Sequence, residues 1–131
     1  MAVFKPFAAV RPVPERAERV AALPYDVMNR QEAAQMAAGN PDSFLHVDRA
    51  EIDLDPQLNP YDPSVYARAA ENLRNMEERG VYMRDRRPCY YLYRQVMNGR
   101  AQTGVAGCAA IDDYLQNRIK KHELTRTEKE E

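Results

Sequence analysis

The chain has 131 residues, with 19 Lys and Arg against 20 Asp and Glu, a length that suits one domain and a net charge of −1. This charge offers no general attraction to phosphate backbones, and no apolar run reaches the roughly 20 residues of a membrane-spanning helix, so we expect neither nucleic-acid nor membrane binding. Its two cysteines, Cys89 and Cys108, lie in apolar runs that favour buried thiols in a reducing compartment, so we expect a cytoplasmic protein.

Proline separates the first predicted elements. Residues 3–10 form an apolar run with an internal proline, which indicates an edge strand or an extended arm. Pro14 suits the first position of a brief helix over residues 15–22. That helix must end before Pro24, because the residue before a proline avoids helical angles.

A capping pattern predicts the next helix. Asn29 and Glu32 have the spacing of a capping box, which predicts a helix that continues through Ala38. We then predict a strand over residues 43–47 and, because residues 48–60 are acidic and contain proline, a loop over that segment.

The second half of the chain contains the clearest patterns. Asp62–Pro63 predicts the start of a helix whose apolar residues repeat at helical spacing until Gly80. Asn98–Gly99 lies between two strand-like runs, residues 89–97 and 101–111, and predicts a β-hairpin because this pair adopts the positive φ angles of a tight turn. The second run is rich in small residues, which let a helix or a ligand approach the backbone closely, and we expect a helix.

The order of helices and strands predicts the fold class. It indicates an α/β or α+β domain with a mixed sheet, a β-hairpin and packed helices, which we assign to residues 1–117. Residues 118–131 are densely charged and contain few apolar groups, so they cannot bury themselves. We therefore expect this segment to lead into a further region, with the chain being the N-terminal piece of a longer protein.

One candidate site lies near the front of the chain. Tyr25 and Asp26 present a phenol and a carboxylate directly before a helix cap, at the kind of edge where ligands often bind. Alternatively, Asp26 only terminates a turn through its side-chain acceptor. The residues alone do not decide between these two interpretations.

A second candidate site lies in the charged segment. His122, Glu123 and Thr125 fall within one helical turn, and Lys129 lies one turn further, so the group could contact phosphate oxygens, hold magnesium or act as acid or base. Thr125 and Glu128 also have capping-box spacing, and composition favours this simpler interpretation as a solvated helix start. The histidines have no His or Cys at metal-binding spacing, so we expect no zinc site.

Several spaced motifs together resemble a known family. They are Phe4–Phe7, Leu23–Val27, Asn40–Pro41 with Ser43–Leu45, Tyr61–Asp62, Asn98–Gly99, and Lys121–Arg126 with Lys129. The set resembles a large bacterial and archaeal family of SpoOJ/ParA/ParB/RepB-like proteins of unknown function, and it covers essentially the whole chain. Members of that family are longer and carry an Asp-Gly-His-His-Arg motif, which this sequence does not contain. The resemblance implies a ParB/sulfiredoxin-like fold, truncated here.

The resemblance also implies a function, because the same downstream motif handles nucleotide phosphates in a free-serine kinase of that fold. It implies a nucleotide-dependent small-molecule kinase that uses ATP and Mg²⁺, with serine as the expected substrate. Phosphoryl transfer at the matching positions would use Asp26 and Glu123 as carboxylates. The matching substrate- or nucleotide-binding positions are Tyr25, His122, Thr125, Arg126 and Lys129. Residues 1–131 alone are expected to be inactive, because they lack the downstream motif.

Two alternatives remain open. A ParB-like regulatory or DNA-segregation module would use nucleotide binding only to switch partners, and it would show salt-dependent DNA binding through a basic surface. A purely structural domain would stabilise a catalytic part elsewhere. In that case the substitutions Asp26→Asn and His122→Ala would leave the activity of the whole protein intact.

Overall fold

The computed structural model describes residues 1–120 of the chain. They divide into two compact units: Val10–Arg84 forms one, and Met1–Ala9 together with the chain from Asp85 onward forms the other. The single domain over residues 1–117 stays a prediction, because compactness alone does not show whether each unit folds independently.

The fold is α+β, as the sequence predicts. Short 3₁₀ helices cover Pro14–Arg16, Tyr25–Val27 and Ala50–Asp53. The other elements are, in chain order, β1 (Phe4–Lys5), β2 (Val10–Pro12), α1 (Ala17–Val20), α2 (Arg30–Ala37), α3 (Leu45–Asp48), α4 (Pro63–Glu78), β3 (Tyr82–Arg84), β4 (Tyr91–Met97), β5 (Arg100–Ala106), β6 (Cys108–Ala109) and α5 (Ile111–Leu115).

Local capping fixes the two longest helices of residues 1–120. At α2 the Asn29 side chain accepts a hydrogen bond from the Glu32 amide (3.0 Å), and the Glu32 side chain accepts one from the Asn29 amide (2.8 Å). At α4 the Asp62 carboxylate accepts from the Ser64 amide (2.9 Å). Both contacts satisfy N–H groups that have no partner inside the helix, so both predicted helix starts are confirmed.

Two apolar clusters stabilise Val10–Arg84, and α3 connects them. Leu45 belongs to the first cluster, and Val47 packs against the second. The short helix is therefore held from two sides, which fixes the orientation of the residue between them, His46. The buried members of the first cluster are Met28, Ala33, Ala37 and Leu45, and those of the second are Val20, Met76 and Val81.

The strand predicted over residues 43–47 is wrong, because this segment enters α3. A five-residue apolar run is too short for its period to distinguish strand from helix, and here the two apolar clusters decide. The predicted loop over residues 48–60 contains the 3₁₀ helix Ala50–Asp53. The Arg30 guanidinium holds this segment by donating to the carbonyl oxygens of Leu54 (2.8 Å) and Asp55 (2.9 Å).

The predicted hairpin is confirmed in the other unit. Strands β4 and β5 pair in antiparallel register from Tyr91 opposite Ala106 to Met97 opposite Arg100, and the turn residues Asn98 and Gly99 both have positive φ.

Among residues 1–120, the Phe4 ring and not a helix lies against Gly107 of the second hairpin run. A Cβ at Gly107 would lie 2.5 Å from the Phe4 ring, whereas a Cβ at Gly104 would meet open space. Gly107 therefore makes room for an aromatic ring, and the predicted close helix packing is not what the structure shows.

The strands of the described chain form three antiparallel pairs, β1–β6, β2–β3 and β4–β5, in place of one mixed sheet. The prediction of buried thiols is wrong, since Cys89 and Cys108 are exposed. Both cysteines belong to the other unit, whereas the buried apolar side chains of residues 1–120 all lie in Val10–Arg84. In the described chain the thiols therefore have no buried apolar cluster of their own unit to join. None of the helices in residues 1–120 has the length and apolar character needed to cross a bilayer.

Candidate functional site

A hollow lies where the end of α2 faces α3 and α4; we call it the polar hollow after the side chains of His46 and Asp53, although alanines and Ile52 also line it. It consists of two cavities of about 410 and 250 Å³, which share Pro41, His46 and Asp53 as lining residues. The smaller cavity is also lined by Asn72 and Arg79 of α4. His46 and Asp53 therefore stand at the junction of the two cavities, where a ligand in either one would meet them.

Asp53 orients the His46 imidazole. The ring Nδ1 lies 2.9 and 3.0 Å from the two carboxylate oxygens of Asp53, and Nε2 lies 3.2 Å from the carbonyl oxygen of Asn40. Both partners can only accept, so both contacts are hydrogen bonds only when both ring nitrogens carry protons. In that form the imidazolium pairs with Asp53, and a ligand oxygen could replace the Asn40 carbonyl as the acceptor of Nε2–H.

Asn72 locks this pair to α4. Its Nδ2 donates to Asp53 Oδ2 (2.8 Å) and to the backbone carbonyl of His46 (2.6 Å). The pair is only partly exposed, with 22% of the His46 side chain and 28% of the Asp53 side chain accessible. A histidine, a carboxylate and an orienting amide thus form one network beside a cavity, the arrangement that acid–base and binding sites use.

A second charged group adjoins the hollow. We call Arg16, Arg19 and Arg79 the arginine cluster, because all three surround the carboxylate of Asp42, which is only 1% exposed. Arg16 Nη1 lies 2.7 Å from Asp42 Oδ2, Arg79 Nη1 lies 2.8 Å from Oδ1, and Arg19 Nε lies 3.7 Å from Oδ2. Arg79 belongs to both the cluster and the wall of the smaller cavity.

The arginine cluster keeps Asp42 ionised. Burial alone would raise the pKa of Asp42, but the hydrogen bonds and positive charges of Arg16 and Arg79 outweigh burial and hold this pKa below its ordinary value. The Tyr82 hydroxyl nearby is buried and has no hydrogen-bond partner among the described residues. Burial and the charges of Asp42 and Glu77 raise the pKa of Tyr82, so its hydroxyl stays a donor.

The predicted pair Tyr25 and Asp26 lies in an exposed 3₁₀ turn. The Arg49 guanidinium holds this turn by donating from Nη1 to the carbonyl oxygens of Tyr25 (2.9 Å) and Met28 (3.3 Å). Neither Tyr25 nor Asp26 lines the polar hollow. A catalytic role for Asp26 and a binding role for Tyr25 stay predictions.

The second predicted site lies outside the described residues. This applies to all of its members, which are His122, Glu123, Thr125, Arg126 and Lys129. Whether any of them comes near Asp26 therefore stays a prediction as well.

Comparison with known proteins assigns the family. The family model described as "Protein of unknown function (DUF1015)" matches residues 4–131. The chain belongs to the DUF1015 family. No curated protein and no solved structure matches it.

Membership in DUF1015 corrects the sequence analysis. The assignment to the SpoOJ/ParA/ParB/RepB-like proteins is wrong, because the match over residues 4–131 is to DUF1015. The motifs that suggested it are short and separated, and such sets do not distinguish one family from another. The roles that rested on the assignment therefore have to be argued from the geometry of this DUF1015 chain alone.

Sequence reasoning missed the residues that build the polar hollow. It considered His46 only as a zinc ligand. It used Asn40–Pro41 and Ser43–Leu45 only as a family motif and passed over Asp42, which lies between them. Asn72 and Arg79 gave no signal, because on a helix with polar faces they resemble any solvated residue. Within residues 1–120, no group of three or more His, Cys, Asp or Glu is placed to hold a metal ion.

Proposed function

We propose that the chain provides a binding site for a small hydroxyl-bearing molecule that is phosphorylated with a nucleoside triphosphate, with free serine as the first candidate. The observation that carries the proposal is the position of the His46–Asp53 pair at the junction of the two cavities. Together the cavities are of the size that small ligands occupy.

The pair can serve a hydroxyl group in two ways. A carboxylate such as Asp53 can accept the proton of a hydroxyl and orient its oxygen for attack, which is the task a carboxylate has in phosphoryl transfer. His46 can donate from Nε2 to an oxygen of the same ligand in place of Asn40. Asn72 keeps Asp53 in position during this exchange, since it donates to Oδ2 from a separate helix.

The side chains around the hollow fit a phosphate better than a metal ion. Arg79 places a permanent positive charge on the wall of the smaller cavity, 2.8 Å from Asp42. Bound ATP would supply the phosphoryl group. In this proposal Arg79 and Asp53 face that phosphoryl group. Among residues 1–120, no group of three or more His, Cys, Asp or Glu side chains is placed to hold a metal ion.

Binding of L-serine tests the proposal directly. We expect L-serine to shift the amide NMR resonances of Asn40, His46 and Asp53 in the chain of residues 1–131, and the substitution Asp53→Asn to weaken binding about tenfold or more, as for loss of a charged hydrogen bond. Asp55→Asn is the matched control, because Asp55 lies two residues further and its carboxylate accepts from the Gln57 amide, away from the hollow.

Equal weakening by Asp53→Asn and Asp55→Asn, or the absence of shifts around the hollow, would contradict the proposal. Transfer itself is followed as phosphoserine formed from L-serine and ATP.

A further inference from the structure

The arginine cluster carries more hydrogen-bond donors than its carboxylate uses. Arg16 contacts Asp42 through Nη1, and Arg19 contacts Asn40 and approaches Asp42 through Nε. Among residues 1–120, no acceptor contacts Nη2 of Arg16 or the two terminal nitrogens of Arg19. The two side chains are 43% and 55% exposed, so these donors are accessible to a ligand.

The cluster is also a local surplus of positive charge. Three guanidinium groups face the carboxylate of Asp42, and Glu77 lies near enough to raise the pKa of the neighbouring Tyr82. The positive groups of the cluster therefore exceed these two carboxylates by one. Glu15 and Glu18 lie in the same helical segments as Arg16 and Arg19, but in the described part of the chain they form no ion pair with them. The surplus is therefore available to an anion.

The arginines are held in place before any ligand binds. Asp42 is buried and fixes Arg16 and Arg79, and Arg79 also donates from Nη2 to the Pro41 carbonyl (2.9 Å). Arg19 is tied to Asn40 by a bond in each direction, with its Nε donating to Asn40 Oδ1 (3.3 Å) and its carbonyl accepting from Asn40 Nδ2 (2.7 Å). Side chains held in this way lose little conformational entropy on binding, which favours affinity.

We infer that the arginine cluster is a subsite for the phosphate group of a small molecule. A phosphate oxygen pair matches the planar fork of a guanidinium, and several arginines at one point favour a doubly charged oxyanion over chloride. The inference rests on the proposed function, because Arg79 connects the cluster to the smaller cavity. Phosphate held at the cluster would leave the rest of the molecule in the polar hollow, near Asp53.

Titration with inorganic phosphate tests the subsite. At constant ionic strength, we expect saturable shifts in the amide resonances of Arg16, Arg19 and Asp42 in the chain of residues 1–131. The double substitution Arg16→Gln with Arg19→Gln should weaken phosphate binding about tenfold or more. It leaves Asp42 paired with Arg79, so the fold is retained.

Arg74→Gln is the matched control, because it removes an exposed arginine of α4 outside the cluster and should leave phosphate affinity unchanged. Shifts that chloride reproduces, or that stay linear in phosphate concentration, would overturn the inference. Binding to vesicles that contain phosphatidic acid without binding to inorganic phosphate would overturn it too, since the site would then recognise a membrane surface.

The two proposals fail in different ways. Loss of serine binding with retained phosphate binding in Asp53→Asn would support the cluster as a separate subsite. Serine binding by the unmodified chain without any phosphate binding would overturn the subsite alone and leave the proposed function standing.

Discussion

The buried carboxylate of Asp42 organises the arginine cluster, so its neutral isostere tests the cluster most sharply. Asp42→Asn keeps the shape of the side chain and one carbonyl oxygen but removes the charge. Asp42 accepts two short hydrogen bonds, from Arg16 (2.7 Å) and Arg79 (2.8 Å). Bonds to charged groups contribute about 1.5–3 kcal/mol each.

That sum must be reduced, because Arg16 and Arg79 are 43% and 42% exposed and water takes up part of their hydrogen bonding in the variant. The amide oxygen of the introduced asparagine would also retain one bond. We therefore expect the free energy of unfolding to fall by about 2 kcal/mol, which moves the midpoint of urea unfolding by about 1 M, given slopes of about 1–3 kcal/mol per molar.

The effect should depend on pH with a definite sign. The pKa of Asp42 is lowered in the folded state from 3.8. Its contribution is therefore fully present above pH 3.8 and is lost as the pH falls through the lower folded-state value. The difference between the unmodified chain and Asp42→Asn should accordingly be largest near neutral pH and shrink below pH 3.8.

The assay is urea unfolding followed by far-ultraviolet circular dichroism, at neutral pH and at about pH 3. Asp26→Asn serves as the control, because Asp26 is exposed and its replacement should change stability by less than about 0.5 kcal/mol. Equal midpoints for Asp42→Asn and the unmodified chain, or a difference that does not change with pH, would refute the reasoning that the buried carboxylate stabilises the cluster.

Three further substitutions, two of them with a matched control, test the packing and the capping. Leu45→Ala should lower the free energy of unfolding by about 2–5 kcal/mol, because Leu45 is 1% exposed, whereas Leu92→Ala on the 79% exposed hairpin position should be nearly neutral in urea unfolding. Gly107→Ala should speed amide hydrogen exchange in β1 and β6, because its Cβ would meet the Phe4 ring at 2.5 Å. Gly104→Ala is the control, since a Cβ there meets open space. Unchanged exchange in Gly107→Ala, or the same increase in Gly104→Ala, would contradict the contact with Phe4. Asn29→Ala removes the α2 cap and should cost about 1 kcal/mol in thermal unfolding, while an unchanged midpoint would argue against the capping box.

Local signals were enough to predict the elements that local contacts stabilise. The cap of α2 depends on residues three apart, the start of α4 on Asp62 and Pro63, and the hairpin turn on Asn98–Gly99. Each of these residues acts on its own neighbourhood, so the chain order alone contains the information.

The candidate site could not be predicted in the same way. Its network joins Asn40, His46, Asp53 and Asn72, and these residues meet only because α3 packs between two apolar clusters. The same packing makes Leu45–Asp48 a helix, whereas the composition of residues 43–47 indicates a strand. Tertiary contacts, which no short pattern encodes, thus determine both the helical state of this segment and the geometry of the site.

A crystal structure of the chain with O-phospho-L-serine would decide whether the arginine cluster and the polar hollow form one site, because this molecule carries a phosphate and an amino-acid part together. We predict that the phosphate oxygens lie within hydrogen-bond distance of Arg16 or Arg19 and that the amino-acid part lies in the polar hollow beside Asp53. Phosphoserine bound at another surface, or no binding at all, would contradict it.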